Sequence, residues 1–265
     1  MKLSAEAVQE RRDTVLKLIQ ESGRMSVKEL ADHVQVSMLT LRRDLDSLEA
    51  EGLIRRFHGG ACAVTNSEEI MGYEDKAVFH LAEKEQIATY VAKLIPENTT
   101  LFLNAGTTTL EVIKRLKNKG VTIITNNALA FSSVQDGNCE IICTGGSYHP
   151  VSKAYNGDLA TGIVQKTYAE YCILGINGIS ASSGITSSIF QETIVNEMMT
   201  RHCHGPKIIV ADSSKIGSTL RFSSFKLSDV DLLVTVSAAD GEQLQAIAAQ
   251  GVKIVFADQE LVSGK

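Results

Sequence analysis

From Val8 to Glu21 the apolar positions Val8, Val15, Leu16 and Ile19 fall near one side of a helical repeat, which predicts a helix that Gly23 ends. Ser26 then precedes an apolar run and has Glu29 three residues on, the reciprocal capping pattern of a helix start, with Leu30, Ala31 and Val34 on the inner face. After a break at Gln35-Val36, Ser37 caps a third helix in which Leu41, Leu45 and Leu48 recur at i, i+4 and i+7. Gly52 stops that helix, and Leu53 to Gly60 alternates as a strand that turns back at Gly59-Gly60. Three helices followed by a hairpin predict a winged helix-turn-helix.

The period then changes. Cys62 to His80 carries no sustained repeat, and a helix is predicted near Ala82 to Leu94. Beyond it come short β-branched runs: Thr100 to Leu103, Val121 to Thr125, Ile141 to Thr144, Cys172 to Gly175, Ile208 to Ala211, Leu232 to Val236 and Val252 to Phe256. Several alternate with helical stretches, which predicts an α/β domain with a mainly parallel sheet buried on both faces. The expected organisation is a winged helix-turn-helix domain over 1–61, a linker over 62–80 and an α/β domain over 81–265.

The net charge of -5 argues against nucleic acid only if the charges are evenly spread. They are not: residues 1–60 hold ten basic and ten acidic side chains, so the deficit lies wholly beyond them. At helical spacing Arg43 lies opposite the leucine stripe of the third helix, flanked by Leu39 and Arg42, with Thr40 on the other shoulder. Such a helix fits the major groove of double-stranded DNA, where arginine bonds guanine edges and an apolar side chain meets a thymine methyl. Leu39, Thr40, Arg42 and Arg43 are therefore assigned to the DNA face, and Ser37 and Met38, at the start of the same helix, are counted with them. Arg55, Arg56, His58 and Gly59 on the wing are assigned as backbone anchors. Solvated surface charge is the alternative, and two basic pairs on consecutive elements weigh against it.

In the large domain the loops after the strands are chemically alike. Asn104-Ala105-Gly106-Thr107-Thr108-Thr109, Thr125-Asn126-Asn127, Thr144-Gly145-Gly146 and Ile176-Asn177-Gly178 offer glycines, hydroxyls and amides, and Asp212-Ser213-Ser214-Lys215 adds a cation. Ligands of open α/β sheets gather beyond the strands' carboxyl ends. The stretch Gly106 to Thr109 opens a predicted helix, Leu110 to Leu116, whose amides favour an anion such as phosphate, and Lys215 supplies a balancing charge. Any one of these loops alone reads as an ordinary turn. Four at one sheet edge favour a binding site.

Arg11-Arg12, Leu41-Arg42-Arg43-Asp44-Leu45 and Gly52 to Ala61 resemble the DeoR-type bacterial repressors over the whole N-terminal segment. The resemblance continues through Gly106 to Thr109, Thr125-Asn126, Gly145-Gly146, Gly157, Gly178, Glu192 and Asp212-Ser213-Ser214-Lys215. It implies an effector domain similar in fold to ribose-5-phosphate isomerase that binds a phosphorylated sugar or related metabolite, with Thr107 to Thr109 and Lys215 as leading phosphate contacts. It also implies that Met38 and Leu39, where the family varies, help select the operator. One departure is Asn104, where the family usually has Asp. Another is Asn177, where isomerases of this fold carry an acid, which leaves Glu192 as the remaining candidate base. A sugar-phosphate isomerase with a DNA-binding appendage is thus the alternative to a repressor of a carbohydrate operon.

Symmetric half-sites predict a homodimer or homotetramer. No apolar run is long enough for a membrane span, and the start lacks a secretory pattern, so the expected location is cytoplasmic. The five cysteines show no CxxC pairing, and His202-Cys203-His204 does not converge on a helix, so neither metal nor cofactor is expected.

Overall fold

Val15 and Ile19 of α1 (Ala5–Ser22), Leu30 and Ala31 of α2 (Val27–Val34) and Leu41, Leu45 and Leu48 of α3 (Met38–Ala50) close on one another in a core that Ile54 and Ala61 complete. Both predicted caps are made. The Ser26 hydroxyl accepts from the Glu29 amide at 3.1 Å while the Glu29 carboxylate accepts from the Ser26 amide at 2.8 Å, and the Ser37 hydroxyl accepts from the Thr40 amide at 3.2 Å. The computed structural model describes residues 5–22, 24–51, 53–57, 59–63 and 72–259, and it divides the chain into two units, 1–79 and 80–265.

The wing is a three-stranded antiparallel sheet of β1 (Arg24–Ser26), β2 (Ile54–Phe57) and β3 (Gly60–Ala63) in the order β1-β3-β2. Its last strand runs past the expected boundary at residue 61, because β3 is paired on both sides and Ala61 and Cys62 are buried. A helix, Tyr73–Val78, also stands inside the segment expected to be a linker.

An acid sits in the helical core. Asp44 lies on the inner face of α3 beside Leu41 and Leu45 and is 2% exposed. Arg11 holds it in a fork, with Nε at 2.7 Å and Nη2 at 3.1 Å, and Arg12 adds Nε at 3.3 Å while donating from Nη2 to the Ser47 hydroxyl at 2.9 Å. The bond to Asp44 raises the Arg11 pKa against the opposing effect of burial. This network joins α1 to α3 and so fixes the angle at which α3 is presented.

In the second unit the seven predicted strands are all present: β4 (Thr100–Leu103), β5 (Thr122–Thr125), β6 (Glu140–Cys143), then, after a hairpin of β7 (Ser147–His149) and β8 (Ala154–Asn156), β9 (Tyr171–Gly175). A small antiparallel sheet of β10 (Gly178–Ser180), β11 (Gly184–Ser187) and β13 (Phe222–Phe225) is interleaved with the remaining three, β12 (Lys207–Val210), β14 (Leu232–Thr235) and β15 (Lys253–Phe256). The seven form one wholly parallel sheet in the order β15-β14-β12-β9-β4-β5-β6.

Alternate residues of each central strand face two separate cores. Phe102, Cys172, Leu174, Ile209 and Leu233 pack with Val164, Val195, Met199 and Ile247 on one face. Leu101, Leu103, Ile173, Ile208, Val210 and Val234 pack with Ile87, Val91, Val112 and Leu116 on the other. The strand order reverses between β4 and β9, and a crevice at the carboxyl ends is the geometric consequence. Among the described residues no helix is long and apolar enough to cross a membrane.

Removing the carboxylate of Asp44 leaves two guanidiniums at a largely dry joint, a class of change that costs about 3–5 kcal/mol. Asp44→Ala is expected to make residues 1–79 unfold well before residues 80–265 in a urea titration. An unmoved first transition would show that the pair does not hold α1 to α3.

Candidate DNA-recognition face and effector crevice

The outer side of α3 carries the residues that periodicity assigned to it. Met38 and Leu39 are 53% and 63% exposed, Arg42 and Arg43 are exposed, and Thr40 is half-buried. Ser37 is engaged as the cap, its hydroxyl also meeting that of Thr40 at 2.9 Å. Arg56 is turned inward to α3: its guanidinium pairs with Asp46 and its amide donates to Glu49 at 2.8 Å, so its charge serves the joint between wing and helix. The backbone of Arg55 pairs with Cys62, Gly59 turns the hairpin at φ 94°, and His58 lies outside the described residues.

At the sheet reversal Asn104 extends from the end of β4 and is nearly inaccessible. Its amide nitrogen donates to the Gly175 carbonyl at 2.8 Å and to Asn196 Oδ1 at 2.9 Å, while its oxygen accepts from the Gly175 amide at 2.9 Å. Asn126 Oδ1 accepts from the Ala105 amide at 2.7 Å and its nitrogen donates to the Tyr155 carbonyl at 2.9 Å. The Thr109 hydroxyl donates to the carbonyls of Asn104 at 2.8 Å and Gly106 at 3.2 Å, and Thr125 accepts from the Asn127 amide at 3.1 Å. Thr109, Thr125 and Asn126 are thus buried in shaping the loops, as is Thr108 beside them, whereas Gly106 and Thr107 are only half-buried. The Thr107–Leu116 helix starts at Gly106 without a side-chain cap, which leaves its first-turn end open to a polar partner.

Two glycines expected to let a ligand approach instead let the chain approach itself. A Cβ on Gly146 would meet the Asn156 carbonyl at 2.5 Å, and one on Gly178 would meet the Ser218 carbonyl at 2.6 Å. Gly145, at φ 61°, faces open space. Asn177 and Glu192 are brought together through Ser187, whose hydroxyl lies 3.4 Å from a side-chain oxygen of each.

After β12, Asp212 is fully buried and accepts from the Ser214 amide at 3.2 Å and from the Ser214 hydroxyl. Lys215, 8% exposed, closes a single 3-10 turn, Ser213–Lys215. Residues that the sequence reading passed over complete this corner. Lys84, from the Leu81–Leu94 helix, places its ammonium 3.8 Å from the unbonded oxygen of Asp212. Glu83 accepts from the Ser213 amide at 2.8 Å, from its hydroxyl at 3.0 Å and from His80 Nδ1 at 2.6 Å. Lys84 stands at helical spacing from Ile87, Ala88 and Val91, and a lysine on an inward stripe was the signal available.

A DeoR-like helix-turn-helix domain matches residues 11–67, and the DeoR C terminal sensor domain matches residues 79–237. The chain belongs to the DeoR family. It is 33% identical over 93% of its length, and 96% of the relative's, to the HTH-type transcriptional regulator GlpR of Haloferax volcanii. It is 32% identical over 87% of its length, and 90% of the relative's, to the glycerol-3-phosphate regulon repressor of Haemophilus influenzae. Half of the chain aligns with half of ribose 5-phosphate isomerase A from Methanocaldococcus jannaschii at a TM-score of 0.37 and 12% identity.

As a DeoR-family member the chain is a DNA-binding transcriptional regulator with an effector-binding sensor domain, and its relatives are regulators rather than enzymes. The isomerase alternative falls with that finding. Among the described residues no group of three or more His, Cys, Asp or Glu is placed to hold a metal ion. His202 instead ends the Phe190–Arg201 helix, and Tyr168 stacks on both His202 and His204 with centroids 5.4 and 4.5 Å away.

Burial raises the Glu83 pKa, but its bonds to His80 and Ser213 outweigh that and hold it below the usual carboxylate range. A depressed carboxylate contributes stability that is present above its unfolded pKa and is lost as pH falls through the folded one. The sensor unit of the wild type is therefore expected to lose melting temperature as pH drops below about 4.3, and Glu83→Gln to flatten that part of the profile. Identical slopes for the two chains would remove Glu83 from the account.

Proposed function

We propose that this DeoR-family regulator represses a carbohydrate uptake or catabolism operon in the cytoplasm, and that a phosphorylated sugar or related metabolite seated beyond β4, β9 and β12 changes its hold on the operator. The observation that carries this reading is that the uncapped start of the Thr107–Leu116 helix follows β4 on one side of the strand reversal, while the Lys84–Asp212 corner and Lys215 follow β12, beside β9 on the other, at the same carboxyl edge of the parallel sheet. A helix start favours an anion and a buried ammonium supplies its counter-charge. The likeness to a glycerol-3-phosphate regulon repressor is in keeping with a phosphorylated effector. Phosphate is assigned to the half-buried Gly106-Thr107 turn and Lys215, and sugar hydroxyls to Gly145, Asn177 and Glu192. Thr108, Thr109, Thr125, Asn126, Asn104, Gly146, Gly178, Asp212 and Ser214 support that lining from behind. The DNA-bound form is at least a dimer, because one reading head of this size covers too little of an operator for high specificity.

Arg43→Ala is expected to cost about 1–3 kcal/mol in specific operator binding while barely changing affinity for bulk DNA, whereas Arg55→Ala weakens both and flattens the salt dependence. Equal effects from the two would sink this division of labour. Lys215→Ala should leave operator affinity intact yet abolish both release by a panel of sugar phosphates and the rise in melting temperature they cause. Retained release would take Lys215 out of the site.

A further inference from the structure

The Asp158–Gln165 helix is apolar on both sides. Ala160 and Val164 face the core, while Leu159, 73% exposed, and Ile163 face out with Gly162 beside them at i, i+3 and i+4. The neighbouring Phe190–Arg201 helix repeats the arrangement: Val195 and Met199 point in, Phe190 and Ile194 point out one turn apart. Phe222 joins the outer row through an edge contact with Phe190 at 5.6 Å between centroids. A helix that is apolar all round belongs in an interior, and here half of it has none among the described residues of its unit.

We propose that this two-helix face is the surface through which two copies of the chain pair. The choice of a second copy rests on the reading of the chain as a paired DNA binder, and three features of the face support it. The Asp158–Gln165 helix begins with an exposed acid, Asp158, and is followed at its end by an exposed base, Lys166, so an antiparallel second copy sets the acidic end of each against the basic end of the other. A Cβ on Gly162 would meet nothing within 4 Å, which leaves room for the backbone of a facing helix to approach closely. The five outer side chains expose on the order of 400 Å² of apolar surface per copy. Doubled by a two-fold axis this gives about 800 Å² of apolar area, and the polar side chains around it would have to supply the rest of the roughly 1,200 Å² at which stable interfaces begin.

The test is the mass of the full chain in solution, by size-exclusion chromatography with light scattering over a dilution series. Wild type is expected to associate. Leu159→Glu combined with Ile194→Glu should halve the mass or more, and should raise the dissociation constant at least tenfold. Gly162→Gln should do the same without harming the fold, because glutamine is the better helix former and its Cβ meets no atom within 4 Å. It therefore decides the matter if the double variant unfolds. Phe131→Glu, equally apolar and exposed but on a different helix, should change nothing. A wild type that stays monomeric gives the face to some other partner and overturns the proposal, as do unchanged masses for the variants or dissociation by Phe131→Glu alone. Operator binding is read in parallel: association without operator affinity counts against the DNA reading alone, and operator affinity in a monomer against this surface alone.

Discussion

The side-chain amide of Asn104 is the tie on which the sensor domain depends. It spans the one place where the strand order reverses, and it binds both the carbonyl and the amide of Gly175 on the facing strand. At a reversal the helices leaving the two strands go to opposite faces of the sheet, so nothing in the ladder itself closes the gap between the strand ends. An amide can donate to one group and accept from the other at once, and a carboxylate cannot. The departure from the family's usual acid at this position is therefore chemically consistent with what the side chain does here. Asn196, which accepts from the same nitrogen, stands on the helix that carries Glu192, so the tie reaches three elements.

The second constraint is charge without water. Lys84 and Asp212 are both almost wholly inaccessible, and one Asp212 oxygen has the ammonium but no hydrogen bond among the described residues. Pairs of this kind seldom add net stability, because desolvating two ions offsets most of their attraction. In the proposed phosphate corner the pair has a role other than stability: Asp212 holds the Lys84 ammonium at a fixed place, where an entering anion shares it.

Periodicity located the seven strands of the sheet, the three N-terminal helices and both serine caps, because each is set by neighbours within one or two turns of sequence. What it missed has a common physical origin. The strands Arg24–Ser26, Ser147–His149 and Gly178–Ser180 are three residues long, too short for an alternating pattern to register; the first exists only because the strand beyond two helices pairs with it, and the other two are halves of short hairpins. Asp44 and Lys84 break their stripes with a charge whose partner is 33 residues away in one case and far along the chain in the other. Among the candidate site residues the chemistry was legible but the direction was not. Thr109, Thr125, Asn126 and Arg56 have the right groups for a ligand or for DNA, yet each is turned to its own chain.

The two outward-facing helices stand close to the proposed effector crevice. Glu192 shares its helical turn with Phe190, and Gly157 leads directly from the Asn156 hairpin into Asp158 and Leu159. Each helix also buries its inner row, Val164 on one and Val195 and Met199 on the other, in a single core where volume is conserved. A ligand that draws Glu192 or the Gly145 loop inward therefore cannot move one helix without moving its neighbour. If the outer row is where two copies meet, that movement changes the angle between the copies rather than the structure of either. A ligand whose affinity differs between two pairing geometries biases the spacing of the reading heads by that difference in free energy, and operator occupancy by the same amount.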